Sequence, residues 1–303
     1  MLMGKKKNPD VLMNHATTKS QLSNYQQNIG AIVTAQQRLT TQQPINELSY
    51  VISETGSVMA GAPVYFAGGM GATMWAVDYQ LYLMSQGVQR ISNTLRPIEL
   101  HSFWFPDSSD PYTMHPAVQP AFSSASFVAD FIGTGASAAS KVAEVEVPSA
   151  EGINPDYLAA YVAYGQQSSR PIRVAIINLQ TWDNDLFLNP TSAPRGSVDV
   201  TVAGDGGILG GGGITAASVR RLHADKGWSA CGYDLGGEAN NVTWAGEQWS
   251  YFLDLGKGHF RNGAIEQEPL DVSNANVAVN IPDTEAVIID LTWNWYAGPN
   301  QDN

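Results

Sequence analysis

Leu48-Ser49-Tyr50-Val51-Ile52-Ser53-Glu54-Thr55-Gly56-Ser57 is a short apolar run that ends on a carboxylate and turns at once into Gly and Ser. An apolar stretch of this length bounded by turn residues reads as a buried strand. A carboxylate at the point where such a strand gives way to a turn is where an α/β barrel keeps a catalytic acid or nucleophile, because barrel chemistry sits at the C-terminal ends of the strands. The alternative is that Glu54 merely caps the next turn, and position alone leaves both readings open.

Working outward, Thr18-Lys19-Ser20-Gln21 has the form of a capping box. Leu22, Tyr25, Ile29, Ile32 and Val33 then recur at helical spacing, which predicts one amphipathic helix over residues 18–36. Gln-rich residues 36–46 connect it to the strand. After Glu54 a loop marked by Gly61, Pro63, Gly68 and Gly69 leads into a helix from Met70 to Gln86, with Gly87 as its stop. The apolar residues of that helix (Met74, Trp75, Val77, Leu81, Tyr82, Met84) cover more than one face, so it is expected to be well buried. Val88 to Ser92 is a second short strand. The order helix, strand, helix, strand implies parallel strands and a βα repeat. Residues 93–117 read as a long loop rich in Pro, Asp and aromatics, a length usually associated with function. Ala121 to Ile132 returns as a helix closed by Gly133-Thr134-Gly135.

From about residue 140 the pattern changes. Val142, Val145 and Val147 alternate with Glu144 and Glu146. Short strands are expected over Tyr157–Tyr164, Arg173–Leu179, Ser197–Val202, Ser218–His223, Asn241–Trp244, Gln248–Leu253, Val277–Ile281 and Ala286–Leu291. Many short strands with no helix between them indicate a sandwich. Gly210 to Gly213 form a glycine loop without the Lys-Ser/Thr of a phosphate cradle.

The 303 residues allow about two domains at roughly 100–200 residues each. Only 15% are charged, giving a neutral-surfaced, β-rich and secreted-looking composition. A net charge of -12 argues against nucleic acid as a partner, and Lys5-Lys6-Lys7 reads as a solvated tail. Cys231 is the single cysteine, and the five histidines, His15, His101, His115, His223 and His259, lack metal-ligand spacing; no metal or cofactor is expected. No apolar stretch approaches the ~18 residues of a membrane span. Met1 to Asp10 lacks the apolar segment of a secretory signal. Asn241-Val242-Thr243 is a glycosylation sequon.

Several fragments resemble, in order and spacing, the C-terminal part of glycoside hydrolase family 79, the fungal β-glucuronidase and heparanase-like enzymes. They cover nearly all of residues 10–295. Asp10-Val11-Leu12-Met13-Asn14-His15 resembles the entry to that family's sixth barrel helix. Ser53-Glu54-Thr55-Gly56-Ser57 resembles its nucleophile segment, usually G-E-T-N-S, and Gly71 to Tyr79 its seventh helix. Arg173 to Leu179, Val219 to Leu222, Asn241 to Gly246 and Glu285 to Ile289 resemble strands of its sandwich. The expected fold is therefore α/β plus all-β: the C-terminal portion of a (β/α)8 TIM barrel, truncated, over residues 1–137, then a C-terminal β-sandwich domain over residues 138–303.

The resemblance implies a retaining, β-glucuronidase-like hydrolase acting on glycosides of uronic acids or related sugars, with Glu54 as nucleophile and carbohydrate as partner. It also implies secretion of the parent enzyme. In such barrels the acid/base comes from the fourth strand, which has no counterpart here, so the chain alone is expected to be inactive. Asp78, Glu99, Asp107 and Asp110 read as structural or solvated carboxylates rather than substitutes. Met59 stands where the family often has a Tyr lining the sugar site. Arg96 could pair with a uronate carboxylate, against a plain surface role. Trp104 could stack on a sugar ring, against simple anchoring of its loop. Core packing is the expectation for Trp75, Tyr79 and Tyr82, and sheet packing for Trp228, Trp244, Trp249, Trp293 and Trp295. His15 and His101 read as structural. The alternatives are a non-catalytic β-sandwich module that binds carbohydrate or serves structure, and a truncated gene product.

Overall fold

In the computed structural model, residues 8–40, 51–57, 63–93, 102–105, 116–149, 152–166, 170–184, 193–204, 212–231 and 242–295 are described. The first part of the chain holds α1 (Pro9–Leu12), α2 (His15–Thr40), β1 (Val51–Thr55), α3 (Val64–Ala67), α4 (Met70–Ser85) and β2 (Arg90–Asn93). A small hairpin of β3 (Trp104–Phe105) and β4 (Ala117–Val118) precedes α5 (Phe122–Ile132). Strands follow: β5 (Ala139–Val145), β6 (Leu158–Gly165), β7 (Pro171–Asn178), β8 (Ser197–Ala203), β9 (Gly212–Ala224), β10 (Val242–Trp244), β11 (Glu247–Ser250) and β12 (Leu253–Phe260). The last are β13 (Glu268–Leu270), β14 (Val272–Ser273), β15 (Asn276–Pro282) and β16 (Glu285–Trp295).

The strands form a nine-stranded sheet, β12-β11-β10-β9-β16-β7-β6-β5 with β13 also on β9, and a three-stranded sheet, β14-β15-β8. The large sheet is the middle layer. Val174 and Ile176 of β7, Val219 of β9 and Val287 and Ile289 of β16 face Val277, Val279 and Ile281 of the small sheet. Their neighbours Ala175, Ile177, Leu222, Ala286 and Ile288 face the other way, onto Met74, Val77, Leu81, Phe127 and Phe131 of α4 and α5. Because both faces are covered, β7 and β16 read as continuous apolar runs rather than alternating ones. In β8 and β15, which have one face in water, half-buried or buried residues do alternate with exposed ones. Each fully buried Ile or Val contributes roughly 1.5–3 kcal/mol, so this two-sided burial dominates the stability of the sandwich.

Helix α4 is buried on nearly every side, as the spread of its apolar residues predicted. Its first turn needs partners for its free N–H groups. Met70 N–H donates to the Ala230 carbonyl (2.8 Å) and Gly71 N–H to the Trp228 carbonyl (2.8 Å), pinning the helix to the segment after β9. Helix α4 connects β1 to β2, and these pair in parallel, Val51 with Arg90, Ile52 with Ile91 and Thr55 with Asn93.

Two expectations are corrected. Helix α2 begins at His15, not Thr18: Asn14 Oδ1 accepts from Thr17 N–H (2.7 Å), so an asparagine upstream of the apparent capping box does the capping. Residues 93–117 are not uniformly loop, because Trp104 and Phe105 pair with Val118 and Ala117. Cross-strand pairing over that distance leaves no local signature. The described structure is a β-sandwich with helices on one face.

Candidate functional site

Glu54 is the penultimate residue of β1, and a register shift separates Ile52 from Thr55. Parallel pairing puts the ends of β1 and β2 at the same edge, where Thr55 stands beside Asn93. In the sequence Met59 follows β1 and Arg96 follows β2. Met59, Arg96, His101, Glu99, Asp107, Asp110 and Asn241 lie outside the described residues, as do the side chains of Glu54 and Trp295.

Asp78 and His15, weighed as acid/base groups, are found bound to each other. Asp78 is fully buried on α4 and accepts from Tyr161 Oη–H (2.7 Å). His15 Nδ1 lies 2.9 Å from Asp78 Oδ1, and its Nε2 lies 3.1 Å from Glu144 Oε1. Lys19 Nζ reaches the same Glu144 oxygen at 2.5 Å. Burial works to lower the His15 pKa, but the Asp78 and Glu144 carboxylates outweigh it and raise it to about 9. Glu144, despite burial, is held below the usual carboxylate range by His15 and Lys19. Burial, then Asp78, pushes the Tyr161 hydroxyl up. Two cations and two carboxylates thus neutralise one another between α2, α4 and the β5–β6 edge. This is a structural charge cluster, in keeping with the sequence reading.

A polar cleft of about 400 Å³ lies on the opposite face of the large sheet from the helices, with Arg221, His223, Arg261, Glu268 and Glu285 in its wall. Glu285 is buried and accepts from Arg221 Nη1 (2.7 Å), with His223 Nδ1 at 2.9 Å. Arg221 Nε also donates to Glu268 (3.2 Å), and Arg261 Nη2 to Asp225 (3.2 Å). The Glu285 bond, against burial, raises the His223 pKa. The charges of Arg221, His223, Arg261, Glu268 and Glu285 are thus spent on protein neighbours. The only sequence signal was the alternation Val219-Arg220-Arg221-Leu222-His223, which puts Arg221 and His223 on one face.

The tryptophans divide. Trp75 stacks on Tyr79 (centroids 4.7 Å), Trp228 packs edge-on against Tyr65 and Phe66, and Trp293 Nε1–H donates to the Pro171 carbonyl (2.7 Å). Trp244 Nε1–H donates to Asp130 (2.9 Å) beneath Arg220. These four are packing residues, as expected. Trp104 differs: 41% of its surface is exposed, and its ring leans on Phe122 (6.2 Å), which leans in turn on Trp249 (5.2 Å). Among the described residues no group of three or more His, Cys, Asp or Glu could hold a metal, and no helix is long and apolar enough to cross a membrane.

The layered sandwich with helices on one face has counterparts among solved structures. It is similar to a 4-O-α-L-rhamnosyl-β-D-glucuronidase from Fusarium oxysporum 12S (TM-score 0.67, 20% identity, 94% of this chain and 50% of that one). It is also similar to a GH51 arabinofuranosidase from Xanthomonas axonopodis pv. citri (TM-score 0.52, 11% identity, 91% and 48%). Residues 160–288 match the glycosyl hydrolase family 79 C-terminal beta domain. Over 287 residues it is 25% identical to a beta-glucuronidase of Aspergillus niger, covering 93% of this chain and 47% of the relative. The chain therefore spans about half the length of the relatives it matches.

Proposed function

We propose that this chain is the C-terminal portion of a secreted, retaining β-glucuronidase-like hydrolase. Residues 1–137 are the last part of a (β/α)8 barrel and residues 138–303 its sandwich domain. The observation that carries this reading is Glu54 at the open end of a parallel strand that leads through a buried helix into a second parallel strand, the position from which barrels act. The likeness to β-glucuronidases supports the substrate class.

In this reading Glu54 attacks the anomeric carbon and forms a covalent glycosyl intermediate, while a second carboxylic acid roughly 5–5.5 Å away protonates the leaving oxygen. Water then hydrolyses the intermediate. Met59 lines the sugar, Arg96 pairs with the uronate carboxylate and Trp104 stacks on a ring beyond the uronate. Asp78 and Glu144 cannot serve as the partner acid, since both are bound to His15. The acid/base group is supplied by polypeptide outside these residues, and the 303-residue chain alone does not turn over substrate.

The test is an aryl β-glucuronide assay on the purified chain and on the chain extended by its upstream reading frame. No turnover is expected from the first. Turnover is expected from the second, reduced by about four orders of magnitude in Glu54→Gln, the scale of removing a residue that acts in covalent catalysis. Activity that survives Glu54→Gln overturns the assignment.

A further inference from the structure

The surface around Trp104 contains groups that the fold leaves unused. Glu247 and Trp249 point from the same face of β11 towards α5, since Gln248 and Ser250 between and beyond them are buried on the other face. The Glu247 carboxylate is half-buried, yet it makes no hydrogen bond or ion pair among the described residues. Trp249 Nε1–H, beside it, has no acceptor there either. Burial, then Asp130, raises the Glu247 pKa.

The neighbouring strand is shaped to leave this pair open. Gly256 and Gly258 put no side chains on that face of β12. A Cβ at 258 would collide with the Glu247 carboxylate and lie 3.0 Å from Trp249 Nε1, and one at 256 would press on Val118 at 3.2 Å. The aromatic ladder Trp249–Phe122–Trp104 then carries the surface to an exposed indole on the β3–β4 hairpin. An exposed ring, and an N–H donor and a carboxylate acceptor without partners among the described residues, therefore share one surface.

We propose that Trp104, Trp249 and Glu247 form a binding site for a neutral saccharide. A pyranose offers an apolar C–H face for the Trp104 ring, hydroxyl donors for Glu247 and oxygen acceptors for Trp249 Nε1–H. The unpaired carboxylate sets the class: a uronate would bring a second negative charge against Glu247, so the sugar bound here is uncharged. The site takes up the carbohydrate reading of Trp104 and extends it to two residues of the sandwich. It does not depend on Glu54, and its test needs no turnover, so failure here and failure of the catalytic reading are separate results.

The experiment is titration of the whole 303-residue chain with xylohexaose, cellohexaose and polygalacturonate, followed by tryptophan fluorescence and calorimetry. At least one neutral oligosaccharide is expected to bind in the millimolar range or tighter, and polygalacturonate not to bind. Trp104→Ala and Glu247→Ala each weaken binding by about tenfold. Trp249→Phe, which keeps a ring and loses the N–H, weakens it by at least about threefold. Glu247→Gln, isosteric and able to accept, holds neutral binding within about threefold and admits polygalacturonate. Unchanged thermal midpoints show that the variants fold. Flat titrations with both neutral sugars, wild-type affinity in Trp104→Ala and Glu247→Ala, or tight polygalacturonate binding by the native chain would overturn the proposal.

Discussion

His15, at the start of α2, sits with Nδ1 2.9 Å from Asp78 on α4 and Nε2 3.1 Å from Glu144 on β5. One imidazolium therefore ties three elements that are separated by 63 and 129 residues in the chain. The contact makes stability depend on pH. His15 titrates near 6.5 when unfolded and at about 9 in the folded chain. A pKa raised by folding means its contribution is complete below about pH 6.5 and disappears as pH rises through about 9. The shift corresponds to about 3 kcal/mol. Thermal unfolding of His15→Gln is expected to show a deficit of that order at pH 6 that narrows by pH 10. Parallel pH profiles for the two proteins would contradict this.

Asp290 joins the sandwich to α5 through two arginines. Its Oδ1 accepts from Arg173 Nε (3.0 Å) and its Oδ2 from Arg220 Nη2 (3.1 Å). Arg220 also reaches Asp130 on α5 (2.6 Å), and Arg173 Nη1 donates to the carbonyls of Phe131 and Ser137. Both guanidinium groups are largely withdrawn from water, and removing the shared carboxylate leaves Arg173 with carbonyl partners alone while Arg220 keeps Asp130. Asp290→Ala is expected to cost about 2–3 kcal/mol in urea denaturation. A loss under about 0.5 kcal/mol would mean the pair behaves like a surface ion pair.

Gly227 and Gly152 both adopt positive φ (84° and 77°), but in different surroundings. A Cβ at 227 would strike the Trp182 carbonyl oxygen, which accepts from Trp228 N–H at 2.9 Å; a Cβ at 152 meets nothing within 4 Å. Gly152→Ala should therefore cost only its backbone term, about 1 kcal/mol. Gly227→Ala should cost more than about 2 kcal/mol, because the strain adds to a steric clash. It also disturbs the Trp228 carbonyl that caps α4. Equal losses for the two variants, measured by chemical denaturation, would remove the steric argument.

Much of the secondary structure was legible in the residue pattern. Met70–Ser85 is helical and buried all round, and β6, β7, β8, β15 and β16 fall close to their predicted ranges. Most strand ends are displaced by one or two residues, within what patterning can resolve, but β16 runs on to Trp295 past the expected Leu291. Patterning missed the pairing of β3 with β4, which lie more than ten residues apart, and the local division of residues 247–260 into β11 and β12 about a turn at Tyr251 and Phe252. Glu247 had no signal of its own, since a glutamate just before the expected strand Gln248–Leu253 is unremarkable in the sequence alone.

The chain's own order of residues decided its helix and strand types, the burial of α4 and the placing of Glu54 at a strand end, because periodicity and turn chemistry act over a few residues. Which carboxylates are occupied was decided only by the tertiary structure. Asp78 and Glu144 become partners of His15, Glu285 a partner of Arg221, and Glu247 a carboxylate with none among the described residues. A charge is neutralised or left free according to what register and layer packing bring within about 3 Å, and those distances join residues far apart in the chain.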